Sequence, residues 1–343
     1  MPARISVLLP VFNAEATLAA CLESIFSQTL EDFEVIAVND GSDDDTAGVL
    51  AQFNEKDPRL RVVEIEHGGI VVALNRGLAT STAPFVARMD ADDLMEPARL
   101  EKQLRFMEQT PGCDLVGTLI EPFRVGGTPS PGMVRFHEWM NSLVTDAQIR
   151  AAQFIDLPIA HPTFFARRAW FERLGGYREC PWVEDYDLFL RAAGSGAAFG
   201  KVPEVLVHRG DGEGRLTRHD PRCGREALYL AKCKYLVEHG WLDGKDGVVV
   251  AGTGPSGRFV AEELTRRGAA IRAFIDNREG PPGRTVMEIP AHGFSGEIPG
   301  EIFQAHRDAF FVLCIGEPDG RAEFLARLES LGFNQGRDFT RFI

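Results

Sequence analysis

The feature that most constrains this chain is a regular alternation over its first ninety residues. Short apolar runs of strand length are separated by segments whose apolar residues recur at helical spacing. "RISVLL" (4–9) is apolar on both faces and reads as a buried parallel strand. Residues 14–27 place Leu18, Cys21, Leu22, Ile25 and Phe26 on one helical stripe. "FEVIAVND" (33–40) is a second strand, 46–54 a helix, "RLRVVEIE" (59–66) a strand, 69–81 a helix and "PFVARMD" (84–90) a strand. This order predicts a doubly wound α/β sheet. Ligands of such sheets lie beyond the carboxyl ends of the strands, and Asn39-Asp40 and Asp90–Asp93 stand at such ends.

Further on, residues 99–110 form a helix with Leu100, Leu104 and Met107 on one side, and Pro122–Met133 reads as an irregular loop or hairpin. Residues 135–155 look helical, as do 184–193 and 224–239. A second alternating block starts at Gly247, with "VVVAGTGPSGRFVAEEL", a later strand "DAFFVLCIG" and a later helix "GRAEFLARLESLGF". The expected domains are 1–220, a helical connector 221–245, and a smaller domain 246–343.

Composition removes some function classes. A net charge of −13 argues against a general nucleic-acid binder, which needs a basic face. Six cysteines without a CxxC pair suggest neither a zinc site nor a disulfide framework, so a reducing, cytoplasmic setting is expected. The apolar run in "MPARISVLLPVFN" is too short for a signal segment, and Pro10 interrupts it. No stretch reaches the roughly 18 apolar residues of a membrane span. A soluble protein is expected, with peripheral contact at the inner membrane face left open.

"DADD" poses the chemical question. Asp90, Asp92 and Asp93 crowd the end of an apolar strand. Two unit charges about 4 Å apart repel by roughly 4 kcal/mol at an effective dielectric near 20. The cluster is either a solvated loop capping the next helix or a seat for a hard cation such as Mg²⁺ or Mn²⁺.

Four ordered motifs now carry a resemblance. "SVLLPVFNAEATLAACLESIFSQT", "FEVIAVNDGSDDDT", "GGIVVALNRGLATSTAPFVARMDADD" and "GGYRECPWVEDYDLFLR" resemble family 2 glycosyltransferases with the GT-A fold, over about residues 4–218. The fold so implied is a nucleotide-diphospho-sugar transferase sheet, doubly wound and mixed, followed by a Rossmann-like domain. The resemblance implies an inverting transfer of a sugar from a nucleoside-diphosphate sugar, UDP-linked, to an acceptor hydroxyl in bacterial polysaccharide or glycan synthesis. A sugar or a lipid-linked glycan is the implied acceptor.

By that resemblance Pro10, Val11, Asn13, Asp40 and Asn75 lie at the nucleotide sugar, with Asp40 on the base. Asp40-Gly41 is also ordinary turn chemistry. Asp92 is the implied metal ligand, and Asp90 contacts the ribose or the metal's water; Asp93 is a lesser candidate. In "VEDYD" the implied general base is Asp185, with Glu184 as runner-up. Acids at a helix start also simply suit the helix dipole. In "VLVHRGDGEGRLTR", His208 is either a late metal ligand or the plain end of a strand, and Arg209 and Arg215 could bind diphosphate. His161 lies near the acceptor or only holds the turn before Pro162.

In the second block Gly252, Gly254 and Gly257 spell G-x-G-x-x-G between a strand and a helix, with Asp276 ending the next strand. This is the context of a dinucleotide or nucleotide site, NAD included, and equally of a packing module. Two other functions follow from it, an NAD-dependent oxidoreductase and a nucleotide-sugar sensor.

Overall fold

The computed structural model describes residues 2–212, 220–276, 278, 281, 283–294 and 299–343. Its chain forms two compact units. The first comprises the described residues of Met1–Ile149, Leu157–Cys180 and Glu184–His219. The second takes Arg150–Asp156, Pro181–Val183 and those of Asp220–Ile343.

The first unit begins with β1 (Ile5–Val11), α1 (Leu18–Phe26), β2 (Phe33–Asp40), α2 (Thr46–Lys56), β3 (Leu60–Ile65), α3 (Ile70–Thr80) and β4 (Phe85–Arg88). It continues with β5 (Leu94–Met95), α4 (Arg99–Gln109), β6 (Leu115–Phe123), α5 (Pro131–Asn141) and α6 (Asp146–Ala152), whose residues from Arg150 on fall in the second unit. It ends with β7 (Phe165–Arg167), α7 (Arg168–Leu174), α8 (Glu184–Gly194) and β8 (Phe199–Gly210). The eight strands lie in the order β3-β2-β1-β4-β7-β6-β8-β5. Strands β1 to β4 are mutually parallel, β7 is antiparallel to β4 and β6, and β5 is antiparallel to β8. The sheet is therefore mixed. Every residue of β1 is buried, as its unbroken apolar run requires. Ile5, Val7, Leu9, Leu22, Ile25, Val35 and Leu104 pack in one core cluster. Burying each such side chain is worth about 1.5–3 kcal/mol.

Two expectations change. The irregular stretch is shorter than Pro122–Met133, because β6 runs to Phe123 and α5 starts at Pro131, capped by the Ser130 hydroxyl accepting from Met133 N at 3.4 Å. Residues 135–155 are two helices. The break is a capping box: Thr145 N donates to Gln148 Oε1 at 3.0 Å and Gln148 N to Thr145 Oγ1 at 3.4 Å.

The second unit holds α9 (Arg225–Glu238), β9 (Val248–Ala251), α10 (Pro255–Arg266), β10 (Ile271–Asp276), β11 (Thr285–Val286), β12 (Ile289–Gly293), α11 (Gly300–Ala305), β13 (Phe310–Leu313), α12 (Pro318–Ser330) and β14 (Phe339–Arg341). Its sheet runs β11-β12-β10-β9-β13-β14, parallel from β12 to β14 with β11 antiparallel at the edge. That is a Rossmann-like order, with the winding reversed between β9 and β13. Helix α9, read from sequence as a connector, packs into this unit through Lys232, whose Nζ donates to Ile155 O and Phe342 O at 2.8 Å each.

Candidate active site

The residues that the sequence named at Pro10–Asn13, Asp40 and Asp90–Asp93 lie along the carboxyl ends of β1, β2 and β4. Pro10 and Val11 close β1, buried and paired with Val38 and Asn39. Asn13 turns the chain at a φ of 48°. Its N–H donates to Ser42 Oγ at 3.0 Å and its Oδ1 accepts from Asp43 N at 3.0 Å, so the loops after β1 and β2 are stitched together. Asp44 serves the same seam, accepting from Glu15 N and from Thr46 N at the start of α2. Asp40 is buried, and its two oxygens accept from Gly68 N at 2.8 Å and Gly69 N at 2.9 Å, just before α3. Beside it the exposed rings of Phe12 and His67 stack with centroids 4.3 Å apart. Phe12 was missed from sequence. An aromatic residue directly after a buried strand end was the available signal.

At the end of β4, ligand oxygens of Asp90, Asp92 and Asp93 lie within 4.8 Å of one another. Asp93 is wholly buried and its Oδ1 accepts from Gly210 N at 2.9 Å, so this carboxylate ties β8 to the loop. Asp90 and Asp92 keep partial access to solvent. Burial alone would raise the Asp90 carboxyl. The charge and hydrogen bond of Arg88, with His161 and Arg209 beyond, reverse that and hold it down at about 2. Asp90 is thus a carboxylate at any physiological pH. Arg88 is 4% exposed, and its Nε and Nη1 make no hydrogen bond. Behind the cluster, the Cys21 thiol donates to Asp90 O at 3.2 Å, and burial with the three aspartates pushes it well above its usual range. It stays a thiol. The donor set is all hard oxygen with two members open to water, which fits a divalent cation of the Mg²⁺ or Mn²⁺ kind.

The start of α8 approaches the same place through His161. Its Nδ1 lies 3.8 Å from Asp185 Oδ2, and its Nε2 lies 2.8 Å from the Tyr177 hydroxyl. Burial first, and then the charge of Arg88, push the imidazole well below its ordinary value, so it is neutral. Asp185 thus lies beside a buried histidine that also feels the charge of Asp90. Glu184, next to Asp185, is buried. The turn His161–Thr163 is fixed from α4: Arg99 Nη2 donates to Pro162 O at 2.7 Å, and Gln103 Nε2 to Thr163 O at 2.8 Å.

Three expected site residues are used otherwise or cannot be placed. Asn75 commits both amide atoms to backbone, Nδ2 to Tyr177 O and Oδ1 from Tyr177 N, at 2.9 Å each. It holds the Gly175–Tyr177 segment, where a Cβ on Gly176 would sit 2.5 Å from Asn75 Oδ1 and the φ is 67°. Both ring nitrogens of His208 meet acids other than the three aspartates. Its Nε2 faces Glu96 Oε1 at 2.7 Å and its Nδ1 faces Glu121 Oε2 at 3.4 Å. Strand alternation puts the next residue on the acidic side, where Arg209 Nε is 4.0 Å from Asp93 Oδ2. The cation next to the cluster on β8 is Arg209. Arg215 lies outside the described residues.

In the second unit, Gly257 packs α10 on β9 so closely that a Cβ would lie 1.9 Å from Gly252 O. Asp276 is buried, and its oxygens are spent on the glycine loop and on the turn after β10. One oxygen accepts from Thr253 N at 2.9 Å and from the Thr253 hydroxyl, the other from Arg278 N at 3.1 Å and Arg278 Nε at 3.2 Å. The carboxylate read as part of a possible nucleotide site braces the loop that precedes α10.

The glycosyl transferase family 2 model matches residues 6–175. Over 205 residues the chain is 32% identical to the amylovoran biosynthesis glycosyltransferase AmsE of Erwinia amylovora, covering 59% of this chain and 74% of AmsE. The chain belongs to glycosyltransferase family 2. The putative glycosyltransferase EpsE of Bacillus subtilis is 30% identical over 217 residues, covering 59% of this chain and 71% of EpsE. An uncharacterized glycosyltransferase of Haemophilus influenzae is 28% identical, and the chain spans 64% of its length. Among solved structures, S. aureus TarS 1-349 in complex with UDP-GlcNAc superposes with a TM-score of 0.56 at 22% identity, covering 78% of this chain and 72% of that one. A mannosyltransferase from Pyrobaculum calidifontis, in complex with GDP-Man and Mn²⁺, gives 0.50 at 20% identity, covering 70% and 63%. These likenesses carry the fold, and the first unit of this family 2 chain is GT-A. No helix among the described residues is long and apolar enough to cross a membrane.

Proposed function

We propose that this chain is an inverting, metal-assisted glycosyltransferase that moves a sugar from a UDP-linked donor to the hydroxyl of a sugar or lipid-linked glycan during bacterial polysaccharide synthesis. The observation that carries the proposal is His161, which lies 3.8 Å from Asp185 and also feels the charge of Asp90; it supports reading the aspartate cluster and a candidate base as parts of one site. The biosynthetic role of AmsE supports the polysaccharide setting, and the UDP-GlcNAc complex of TarS supports the donor class.

Each residue then has a task. Asp92 and Asp90 would hold Mn²⁺ or Mg²⁺, which when bound neutralises charge growing on a departing diphosphate. The Phe12–His67 pair and Asp40 line the place for a flat base. Arg88 holds the Asp90 carboxyl below its ordinary range. Asp185 takes the acceptor proton while the acceptor oxygen bonds to the anomeric carbon. The bond from that carbon to the diphosphate oxygen breaks on the opposite face, and its electron pair leaves with the diphosphate.

The test is a panel of UDP- and GDP-sugars with Mn²⁺, read by released nucleoside diphosphate in the presence of glycan acceptors. Asp185→Asn is expected to lower transfer by roughly 10²–10⁴-fold, the range of general base catalysis, with donor affinity kept. Full transfer by Asp185→Asn would refute the base assignment.

A further inference from the structure

Behind Asp185 runs a chain of polar groups whose backbones are held with unusual care. We propose that His161 is a positioning residue for the base: the Tyr177 hydroxyl fixes the imidazole as the tautomer protonated on Nδ1, and that N–H steers Asp185 Oδ2. The inference rests on the reading of Asp185 as the base.

The tautomer follows from a proton count. His161 is 6% exposed and neutral, so it carries one ring proton. Tyr177 is 3% exposed, and burial raises its phenol far above the usual range, so the hydroxyl keeps its proton. The two groups share one hydrogen bond, 2.8 Å from Nε2 to the hydroxyl oxygen. If the phenol donates, Nε2 accepts, the ring proton sits on Nδ1, and Nδ1–H points at a carboxylate. If Nε2 donates instead, the phenol proton has no other acceptor among the described residues, and the Nδ1 lone pair faces a negative oxygen. The second arrangement leaves a buried donor unmet and adds a repulsion, so the first is favoured. The 3.8 Å from Nδ1 to Asp185 Oδ2 is longer than a hydrogen bond. Such contacts often tighten only when substrate is bound.

The surroundings fix both partners of the relay. Asn75 grips the backbone of Tyr177 on both sides. Arg191, paired with Asp187 at 2.7 Å, donates to Leu174 O at 2.6 Å and Gly176 O at 2.8 Å. Arg99 and Gln103 hold the turn that carries His161. The charged and titratable groups that face the imidazole are Arg88 and Asp90 from the β4 end, Arg209 from β8, Asp185 from α8 and Tyr177. With two cations beside it, a second ring proton is unfavourable, which keeps His161 a single-proton director.

The ring nitrogens of His161 report the tautomer directly, in long-range ¹H–¹⁵N spectra of the full-length protein, assigned by the signal lost in His161→Asn. The expected result is a neutral Nδ1–H pattern between about pH 6 and 8, lost in Tyr177→Phe. An Nε2–H pattern, or a pattern unchanged in Tyr177→Phe, overturns the proposal. The kinetic arm uses whichever UDP- or GDP-sugar turns over with Mn²⁺. There Tyr177→Phe should lower kcat about tenfold with donor KM held within about twofold. His161→Asn keeps an N–H near the Nδ1 position but cannot reach Tyr177, so adding Tyr177→Phe to it should cost nothing more. Losses that multiply in the double variant, or a Tyr177→Phe kcat equal to wild type, overturn the proposal. Should Asp185→Asn transfer at full rate, the base reading itself falls, whichever tautomer is seen.

Discussion

Asp90 and Asp276 stand at or just past the ends of apolar parallel strands, one in each unit, and the fold treats them in opposite ways. Asp90 is met by a buried guanidinium on its own strand, keeps solvent access, and has two more carboxylates within 4.8 Å. Asp276 is enclosed, and both its oxygens are filled, one by Thr253 of the glycine loop and the other by Arg278 just after its own strand. A carboxylate that is ionised, crowded by like charges and still open retains coordination capacity. One that is enclosed and saturated stabilises a turn. Position at a strand end is therefore a weak guide to function by itself, and the difference lies in what the neighbouring backbone does with the charge.

The contrast can be broken by substitution. Asp92→Ala should cost the most, with Mn²⁺-dependent transfer falling by roughly 10³-fold or more, since several kcal/mol of charge stabilisation go with the cation. Asp276→Asn should leave transfer within about twofold of wild type while lowering unfolding free energy by about 1–3 kcal/mol, because a buried hydrogen-bonded network loses acceptors. A tenfold drop in transfer from Asp276→Asn would erase the distinction.

Acid sharpens it. Asp90 has a folded value near 2 against an ordinary 3.8, so the unfolded state binds its proton first as pH falls. The stabilisation is full above about pH 4 and is lost as pH drops through about 2, a loss on the order of 2 kcal/mol. Urea midpoints of the wild type and of Asp90→Asn, compared from neutral pH downward, should converge over that window. The smallest expected effect is none: NAD⁺ or NADH titrated into the full chain should give no saturating heat. A micromolar Kd would restore the dinucleotide reading of the glycine loop.

Much of the first unit was legible because β1 is an unbroken buried run and β2 and β4 are mostly buried and apolar, and a doubly wound sheet is what such runs demand. The far side of the sheet was not. β7 is three residues inside an aromatic stretch, and β8 carries Lys201 and Glu204 and shifts register against β6 between Thr118 and Ile120. The single helix expected over 135–155 hid a T-x-x-Q capping box at Thr145, which could have been read. In the site, the carboxylates announced themselves by crowding. His208 did not reveal its direction, since the pairing of Leu94 with His208 sets which face it takes, and that register is a tertiary fact. Arg88 was equally hidden. A lone arginine in a strand reads as a surface residue until its burial against Asp90 is known. Tyr177 gave no signal either, because its role comes from Asn75, 102 residues away.

The central claim is that the aspartates after β4 grip a divalent ion together with a nucleoside diphosphate. Electron paramagnetic resonance of free Mn²⁺ measures this directly, titrated against the full-length protein with UDP and with GDP. The wild type should deplete the free-ion signal in the presence of one of these nucleotides, and Asp92→Ala should leave it undiminished beyond what the nucleotide alone removes. Equal depletion by wild type and Asp92→Ala would contradict it.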